Sequence, residues 1–285
     1  MKRIVITGAT SGIGKEVARQ IMKLGHLVIS NSRNMLKSDE VKDELSKETG
    51  NKNIFFYEGD FSSFKSVRNF AGQIKNEFPG IDVLINNAGI WEVKFIETAD
   101  GIETNLQVNH LSPMLLTLEL IPVLEESGNP RVVNTSSGAH RRDILDLKDP
   151  EWRSKTYDGI ATYSQSKLMN ILFSLHLIKL LRGKNFTINT VHPGYIKTSL
   201  FDKMGQRDWT GVPDAGVGAS GSVYTALSPL IEGISGKYIF HNSEDPNLSD
   251  LAQNEEMASK VWEMSLEFLK LKNPDMDFHS FQFRK

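Results

Sequence analysis

Short apolar runs rich in β-branched residues alternate along the chain with longer amphipathic segments. The runs lie at residues 4–6, 27–30, 53–57, 82–85, 131–134, 186–191 and 237–240. Runs of this kind, separated by helical segments, are typical of buried parallel strands. The pattern predicts an α/β fold, a Rossmann-like doubly wound parallel sheet of about seven strands with helices on both faces.

Helical periodicity is clearest between residues 161 and 181. Apolar side chains such as Leu168, Ile171 and Leu172 recur there at near-helical spacing, and no Pro or Gly interrupts the segment. Similar patterns predict helices after the first strand, after Ser63, and from residue 249 towards the C-terminus.

The segment 200–221 shows no clear periodicity. Long aperiodic segments within a compact domain are usually functional, so we expect a substrate lid around residues 198–216, with 200–212 over the substrate. We expect residues 1–272 to form a single Rossmann-type domain, and residues 273–285 to form a C-terminal tail.

Composition and charge narrow the class of protein. Of 285 residues, 39% are hydrophobic and 24% charged, which fits a globular chain with a sizeable core. The net charge of −2, with acids and bases interspersed, indicates neither nucleic acid nor an anionic membrane as a partner. The absence of cysteine excludes disulfides, thiol nucleophiles and cysteine-bound metals, and fits a cytoplasmic protein. No apolar run suits a transmembrane helix, the seven histidines show no metal pattern, and formation of a homo-oligomer stays open.

A glycine cluster separates the first strand from the first helix. Gly8, Gly12 and Gly14 follow the strand with the spacing Gly-x3-Gly-x-Gly. Glycines allow a tight turn close to a pyrophosphate, and the helix N-terminus offers unpaired N–H groups. The spacing does not match a Walker A loop, and an ordinary strand–helix turn is the alternative. We predict a dinucleotide site here.

The end of the second predicted strand bears on the choice of cofactor. A site specific for NAD usually carries an acid here that binds the ribose 2′-hydroxyl. From the end of this strand the chain has no acid before Asp39 and carries Arg33 instead, whose guanidinium would complement a 2′-phosphate. We predict a preference for NADP(H) over NAD(H), with a solvated surface arginine as the alternative.

Two further polar clusters follow strands directly. Asp60 and Phe61 come after the third strand, and the run Asn-Asn-Ala-Gly at residues 86–89 comes after the fourth. The carboxyl ends of parallel strands share one edge of a sheet, so we expect both clusters to meet the glycine loop there.

A phenol and an ammonium lie one turn apart on the predicted helix, at Tyr163 and Lys167. A tyrosine ordinarily titrates near pH ~10, too high for efficient proton transfer at neutrality. An ammonium about 4 Å away, at an effective dielectric constant of about 20, contributes about 4 kcal/mol and would bring this pKa to about 7. The spacing predicts an acidified phenol, and a solvated surface pair is the alternative.

These motifs together resemble the short-chain dehydrogenase/reductase family. The resemblance rests, in chain order, on Thr7-Gly8-x3-Gly12-Ile13-Gly14, Asp60, Asn86-Asn87-Ala88-Gly89 and Tyr163-x3-Lys167. Segments at 107–111, 131–137, 192–198, 235–238 and 251–263 are similar to the retinol dehydrogenase-like branch. The resemblance implies cofactor contacts from these residues: Thr7, Gly8, Ser11, Gly12, Ile13 and Gly14 for the pyrophosphate and adenosine ribose, Asp60 and Phe61 for the adenine, Asn87, Ala88 and Gly89 for the ribose, and Pro193, Gly194, Ile196 and Thr198 for the nicotinamide.

The resemblance also implies catalytic roles. Ser137 would hydrogen-bond the substrate oxygen, Tyr163 would transfer the proton, and Lys167 would bind the nicotinamide ribose. Asn109 would support a water relay to Lys167. Ser136 is a rival for the serine role, and we prefer Ser137 because it ends the Asn-x-Ser-Ser run.

The expected activity is an NADP(H)-dependent interconversion of an alcohol and a carbonyl on a small, moderately apolar substrate. A catalytically silent nucleotide-sensing or interaction protein on the same fold is the alternative. Two features depart from the common family pattern. Pro113 predicts that its helix bends or restarts, and the insertion 140–160 predicts a surface loop in which Trp152 would roof the site.

Overall fold

The apolar runs pair into one sheet in the computed structural model, which describes residues 1–200, 205 and 208–272. The sheet has eight strands in the order β3-β2-β1-β4-β5-β6-β7-β8, and all neighbours are parallel except β7 and β8. The strands are β1 (Arg3–Ile6), β2 (Leu27–Ser32), β3 (Ile54–Glu58), β4 (Val83–Asn86), β5 (Arg131–Thr135), β6 (Thr187–His192), β7 (Tyr238–Phe240) and β8 (Ser243–Glu244). The predicted doubly wound sheet is confirmed, with one short antiparallel strand added at its edge.

Helices cover both faces of this sheet, as predicted. They are α1 (Gly12–Lys23), α2 (Met35–Thr49), α3 (Phe64–Glu77), α4 (Thr104–Leu106), α5 (Ser112–Glu125), α6 (Gly159–Leu180), α7 (Ala215–Leu227) and α8 (Glu255–Lys272). Successive residues of a strand face opposite sides. Ile4 and Ile6 of β1 pack in the core that includes α1, α2 and α7, whereas Val5 packs in the core that includes α3, α5, α6 and α8.

The strand order reverses between β1 and β4. The chain runs outward from β1 to β3 and returns to place β4 on the other side of β1. In a doubly wound sheet, a crevice for ligands opens at the strand carboxyl ends beside such a reversal. The fold therefore places the glycine loop after β1 and the Asn-Asn-Ala-Gly cluster after β4 at the two sides of one crevice.

Part of the segment that was expected to be aperiodic is helical and belongs to α7. It begins at Ala215, where the Asp214 side chain accepts hydrogen bonds from the first-turn N–H groups, so the expectation of an aperiodic segment up to residue 221 is wrong from that point on. A Cβ at Gly218 would lie 2.8 Å from the Ile196 side chain, which shows that glycine allows α7 to pack closely there. Residues 201–204 and 206–207 of the expected lid, and the tail 273–285, lie outside the described residues.

The helix that precedes β5 is irregular close to Pro113, where the sequence predicted a bend or a restart. A π-helical turn spans Gln107–Leu111, and α5 begins immediately after it with Pro113 in its first turn. Proline has no N–H to donate, and the first turn of a helix is where this loss costs least. Single π-helical turns occur frequently at functional sites.

Candidate active site

A cavity of about 660 Å³ opens at the carboxyl ends of β1, β4, β5 and β6. Its wall comes from the glycine loop, the ends of β2 and β3, the segment after β4, the end of β5, α6 and the segment after β6. It includes nearly all of the residues predicted from sequence: Gly8, Ser11, Gly12, Ile13, Gly14, Arg33, Asp60, Phe61, Asn87, Ala88, Gly89, Ser137, Tyr163, Lys167, Pro193, Gly194, Ile196 and Thr198. Thr7 and Asn109 are buried behind this wall.

Thr7 ties the ends of β1 and β4 together. Its Oγ1 accepts hydrogen bonds from the backbone N–H groups of Asn87 and Ala88, both at 2.9 Å. The Asn87 amide returns a 2.9 Å bond from Nδ2 to the Thr7 carbonyl. These bonds hold the glycine loop and the Asn-Asn-Ala-Gly cluster in a fixed relation to each other.

The glycine loop has the shape that a dinucleotide requires. Gly8 has a φ of +78°, a conformation that favours glycine. A Cβ at Gly14 would lie 2.3 Å from the Gly8 carbonyl oxygen and 2.5 Å from Asn87 Nδ2, so only glycine fits. The Ser11 side chain does not cap α1, which leaves the first-turn N–H groups available to an anion. The residues present fit the pyrophosphate of a nicotinamide dinucleotide.

The end of β2 contributes a residue that sequence reasoning missed. Asn31 Oδ1 accepts a 2.9 Å hydrogen bond from the Gly8 N–H, and its Nδ2 donates to the Gly59 carbonyl at 2.8 Å. The side chain thus joins the ends of β1, β2 and β3. The available signal was the change from the apolar first half of β2 to three polar residues, Ser30, Asn31 and Ser32, in its second half. Two residues after Asn31, Arg33 is exposed and lines the cavity.

Ser137 and Tyr163 lie together, and the two rival serines differ in what they bind. The nearby Ser137 hydroxyl acts to lower the pKa of the Tyr163 phenol, although burial outweighs this effect. The Ser136 hydroxyl instead donates to the Lys167 carbonyl at 2.8 Å. The geometry favours Ser137 over Ser136 as the serine that acts together with Tyr163.

The predicted acidification of Tyr163 is wrong in this structure. Tyr163 is only 6% exposed, and burial raises the pKa of its phenol to about 12 because the phenolate loses hydration. Burial also lowers the pKa of Lys167 to about 8. The Lys167 ammonium lies 5.6 Å from the centre of the Tyr163 ring and donates to the Thr135 carbonyl at 3.4 Å. Helical spacing brought the two side chains near each other, but desolvation decides the sign of the pKa change.

Asn109 lies in the π-helical turn and braces the segment that follows Gly89. Its Oδ1 accepts from the Ile90 N–H at 2.8 Å, and its Nδ2 donates to the Ile90 carbonyl and to the Ser166 hydroxyl, both at 3.0 Å. The Asn109 carbonyl accepts a 2.9 Å bond from Asn170 of α6. The side chain therefore links the cavity wall to the helix that carries Tyr163; the water relay to Lys167 stays a prediction.

The tryptophan beside Tyr163 is Trp91 and not Trp152. The Trp91 ring stacks on Tyr163 with centroids 4.7 Å apart and planes 10° apart, and it lines the cavity. Trp152 does not line the cavity, and the Lys155 ammonium lies 4.1 Å above its ring instead. The expectation that Trp152 roofs the site is therefore wrong. Trp91 carried one signal in the sequence, its position two residues after the Asn-Asn-Ala-Gly cluster.

The chain belongs to the short-chain dehydrogenase family, because the family model described as short chain dehydrogenase matches residues 2–209. Within that family it is similar to the retinol dehydrogenases. Human retinol dehydrogenase 12 is 37% identical over 277 residues, which cover 95% of this chain and 87% of that protein. Human retinol dehydrogenase 14 is 34% identical over 290 residues, covering 93% and 85%. An uncharacterized protein from Mycobacterium paratuberculosis has a crystal structure with a TM-score of 0.79 at 32% identity, covering 95% of this chain and 94% of that one.

Membership of this family makes the chain an oxidoreductase that acts on alcohol or carbonyl groups of small molecules and uses a nicotinamide cofactor. Within residues 1–200, 205 and 208–272, no helix combines the length and apolar character needed to cross a membrane. The same residues contain no group of three or more His, Asp or Glu side chains suited to a metal ion.

Proposed function

We propose that the protein is an NADP(H)-dependent oxidoreductase that interconverts an alcohol and an aldehyde or ketone on a small, moderately apolar substrate. The observation that carries this proposal is the meeting of Ser137, Tyr163 and buried Lys167 in the same cavity as the glycine loop. When bound, the nicotinamide cofactor supplies the hydride for the carbonyl carbon.

The side chains of the cavity are suited to the oxygen of the substrate. Reduction leaves negative charge on that oxygen, which therefore needs hydrogen-bond donors placed in advance. Ser137 and Tyr163 supply two hydroxyl donors, and Tyr163 gives up its proton as the charge develops. Because its pKa is about 12, the phenol keeps this proton at neutral pH until the more basic alkoxide forms. Lys167, with a pKa of about 8, is mostly protonated at neutral pH and offsets the charge of the phenolate.

The wall at the end of β2 supports NADP(H) as the cofactor. Arg33 is exposed and lines the cavity two residues after Asn31, on the side where the adenosine ribose is expected. A guanidinium binds a phosphate through two parallel hydrogen bonds, which a 2′-hydroxyl of NAD(H) cannot provide. Arg33 is therefore the residue we propose to select the 2′-phosphate.

The proposed chemistry is tested by NADPH consumption with a panel of aldehydes and ketones. Tyr163→Phe removes the proton donor and should lower kcat by about 10²–10⁴, while NADPH affinity stays within about threefold of wild type. Tyr57→Phe is the control, because Tyr57 lies on β3 and its hydroxyl bonds to Glu77 outside the cavity. Equal rates for wild type and Tyr163→Phe would refute the mechanism.

The cofactor preference is tested separately, by comparing NADPH and NADH. Arg33→Ala should reduce kcat/KM for NADPH by about 10- to 100-fold and leave NADH nearly unchanged, since a hydrogen bond to a charged group contributes about 1.5–3 kcal/mol. Lys37→Ala removes a nearby exposed cation of α2 that does not line the cavity, and serves as the control. An unchanged NADPH/NADH ratio in Arg33→Ala would contradict the assignment.

The alternative, a nucleotide-sensing protein without turnover, predicts tight NADPH binding with no carbonyl reduced by the wild type. The intact set of Ser137, Tyr163, Lys167 and Asn109 favours the enzyme. The single domain over 1–272, the lid around 198–216, the cytoplasmic location and the state of association stay predictions.

A further inference from the structure

Trp91 lies directly against the proposed proton donor. Its ring is nearly parallel to that of Tyr163, with a 4.7 Å separation of centroids and 10° between the planes. Trp91 is partly exposed and lines the cavity, whereas Tyr163 is buried. One face of the indole therefore covers the phenol ring, and both residues line the same cavity.

Two asparagines fix the backbone on both sides of Trp91. Before Trp91, the side chain of Asn109 forms hydrogen bonds with both backbone groups of Ile90. Its Oδ1 accepts from the N–H at 2.8 Å, and its Nδ2 donates to the carbonyl at 3.0 Å. After it, the Asn105 amide bonds both backbone groups of Glu92 in the same way, at 2.8 Å and 3.0 Å. Both asparagines are fully buried, so water does not compete for these bonds.

The start of α6 gives this segment a rigid backing. A Cβ at Gly159 would lie 2.5 Å from the Glu92 carbonyl oxygen, so the first turn of α6 is in close contact with the backbone next to Trp91. The Asn105 Nδ2 also lies 3.0 Å from the Thr162 hydroxyl, next to Tyr163 on α6. The loop that carries Trp91 and the helix that carries Tyr163 are thus in contact through the loop backbone as well as through the two rings.

We propose that Trp91 is a positioning and specificity-determining residue, whose indole holds the Tyr163 phenol in place and forms one apolar wall of the substrate space. The inference rests on the proposed function, since it assigns Trp91 a part in the same reaction. A ring stacked on one face blocks a swing of the phenol about its Cα–Cβ bond, the side-chain rotation that would displace the hydroxyl, and so keeps the hydroxyl beside Ser137 and the substrate oxygen. Displacement of a reacting group by about 1 Å can cost about 100-fold in rate, so a small rotation matters.

The test is a series of substitutions at Trp91, assayed with NADPH and the carbonyl of the panel that wild type reduces fastest. Trp91→Phe keeps a stacked ring and should retain kcat within about threefold. Trp91→Met keeps a large apolar side chain but has no flat ring, and we expect kcat to fall by roughly tenfold. Trp91→Ala removes both the ring and the apolar bulk, and we expect kcat to fall by up to about 100-fold. KM for the carbonyl should rise in Trp91→Ala more than in Trp91→Met, because only the former removes the apolar wall.

A control variant and a measurement without cofactor separate positioning from a general loss of structure. Trp152→Ala makes the same chemical change outside the cavity and should leave kcat and KM as in wild type. In the cofactor-free protein, a double-mutant cycle of Trp91→Ala and Tyr163→Ala in urea should give a coupling of roughly two- to tenfold in the unfolding equilibrium constant.

The outcomes distinguish this inference from the proposed function. If wild type reduces no carbonyl, the proposed function fails, whatever the coupling is. If wild type is active but Trp91→Met matches Trp91→Phe in kcat, the flat ring does not position the phenol and the inference is wrong. A coupling factor of one in the unfolding equilibrium constant would also overturn the inference, since the two rings would then not stabilise each other.

Discussion

Replacing Gly14 with Ala adds one methyl group where the structure leaves no room for it. The new Cβ would lie 2.3 Å from the Gly8 carbonyl oxygen and 2.5 Å from Asn87 Nδ2. Neither atom can move freely, since one belongs to the backbone and the other donates a 2.9 Å hydrogen bond to the Thr7 carbonyl. Overpacking costs about 1–3 kcal/mol and a lost hydrogen bond about 1 kcal/mol, against a gain of about 1 kcal/mol in helix propensity. We expect Gly14→Ala to lower the free energy of unfolding by about 1–3 kcal/mol.

Urea unfolding followed by circular dichroism measures this change in the free energy of unfolding. The fluorescence of NADPH measures how tightly each variant binds the cofactor. NADPH should bind at least about tenfold more weakly, because Gly8 and Asn87 both line the cavity. The matched control is Gly72→Ala in the middle of α3, where a Cβ would have no neighbour within 4 Å. That variant should gain about 0.5–1 kcal/mol of stability and bind NADPH normally. Equal and positive changes in stability for the two variants would refute the packing argument.

Two more predictions follow from the side chains of the site. Ser137→Ala should lower kcat by about 10²–10³, because it removes a donor to the substrate oxygen, whereas Ser136→Ala should cost less than about tenfold; steady-state rates that reverse this order would contradict the assignment. Burial lowers the pKa of Lys167 from its ordinary value of 10.5 to about 8, so the folded protein holds fewer protons than the unfolded chain between these values and gains stability as the pH rises through them. Urea unfolding at about pH 8 and about pH 10.5 should show the difference between wild type and Lys167→Met change by about 3 kcal/mol in favour of wild type, and a difference independent of pH would contradict the buried state of the lysine.

Local patterns along the chain were sufficient to predict the sheet and the part of the cavity wall that directly follows β1 to β4, whereas the rest of the wall was predicted from the family resemblance. Strands such as β1 and β4 are short, apolar and followed at once by polar clusters, so both their burial and their direction could be inferred. In a parallel sheet the clusters after these strands must meet at one edge. The meeting of Gly14 and Asn87 therefore followed from topology, whereas the place of Tyr163 beside them followed only from the resemblance to the short-chain dehydrogenase/reductase family.

Helix α7 was missed because its glycines read as loop residues. Gly218 packs against Ile196, and Gly221 lies so close to the His241 carbonyl that a Cβ would be 2.9 Å from it. These glycines allow α7 to pack closely against its neighbours, and this tertiary contact outweighs their poor helix propensity. Composition alone carries no sign of such a contact.

The stacking of Trp91 and the pKa of Tyr163 also depend on tertiary structure. Trp91 is placed by hydrogen bonds between the backbone on either side of it and the side chains of Asn105 and Asn109, which lie more than ten residues further along the chain. Tyr163 was predicted to be acidic from its spacing to Lys167, but the sign of its pKa change depends on burial. Sequence spacing indicates which side chains are near each other, and it does not indicate how much water remains around them.

The most direct test of the proposed reaction follows the atoms that reach the substrate. Wild type is incubated with an aldehyde and with NADPH deuterated at the transferred position of C4, and the alcohol is analysed by mass spectrometry. We predict one deuterium on the carbinol carbon for wild type and about 10²–10⁴-fold slower appearance of that labelled alcohol for Tyr163→Phe. Alcohol without deuterium, or equal rates for the two proteins, would contradict the account.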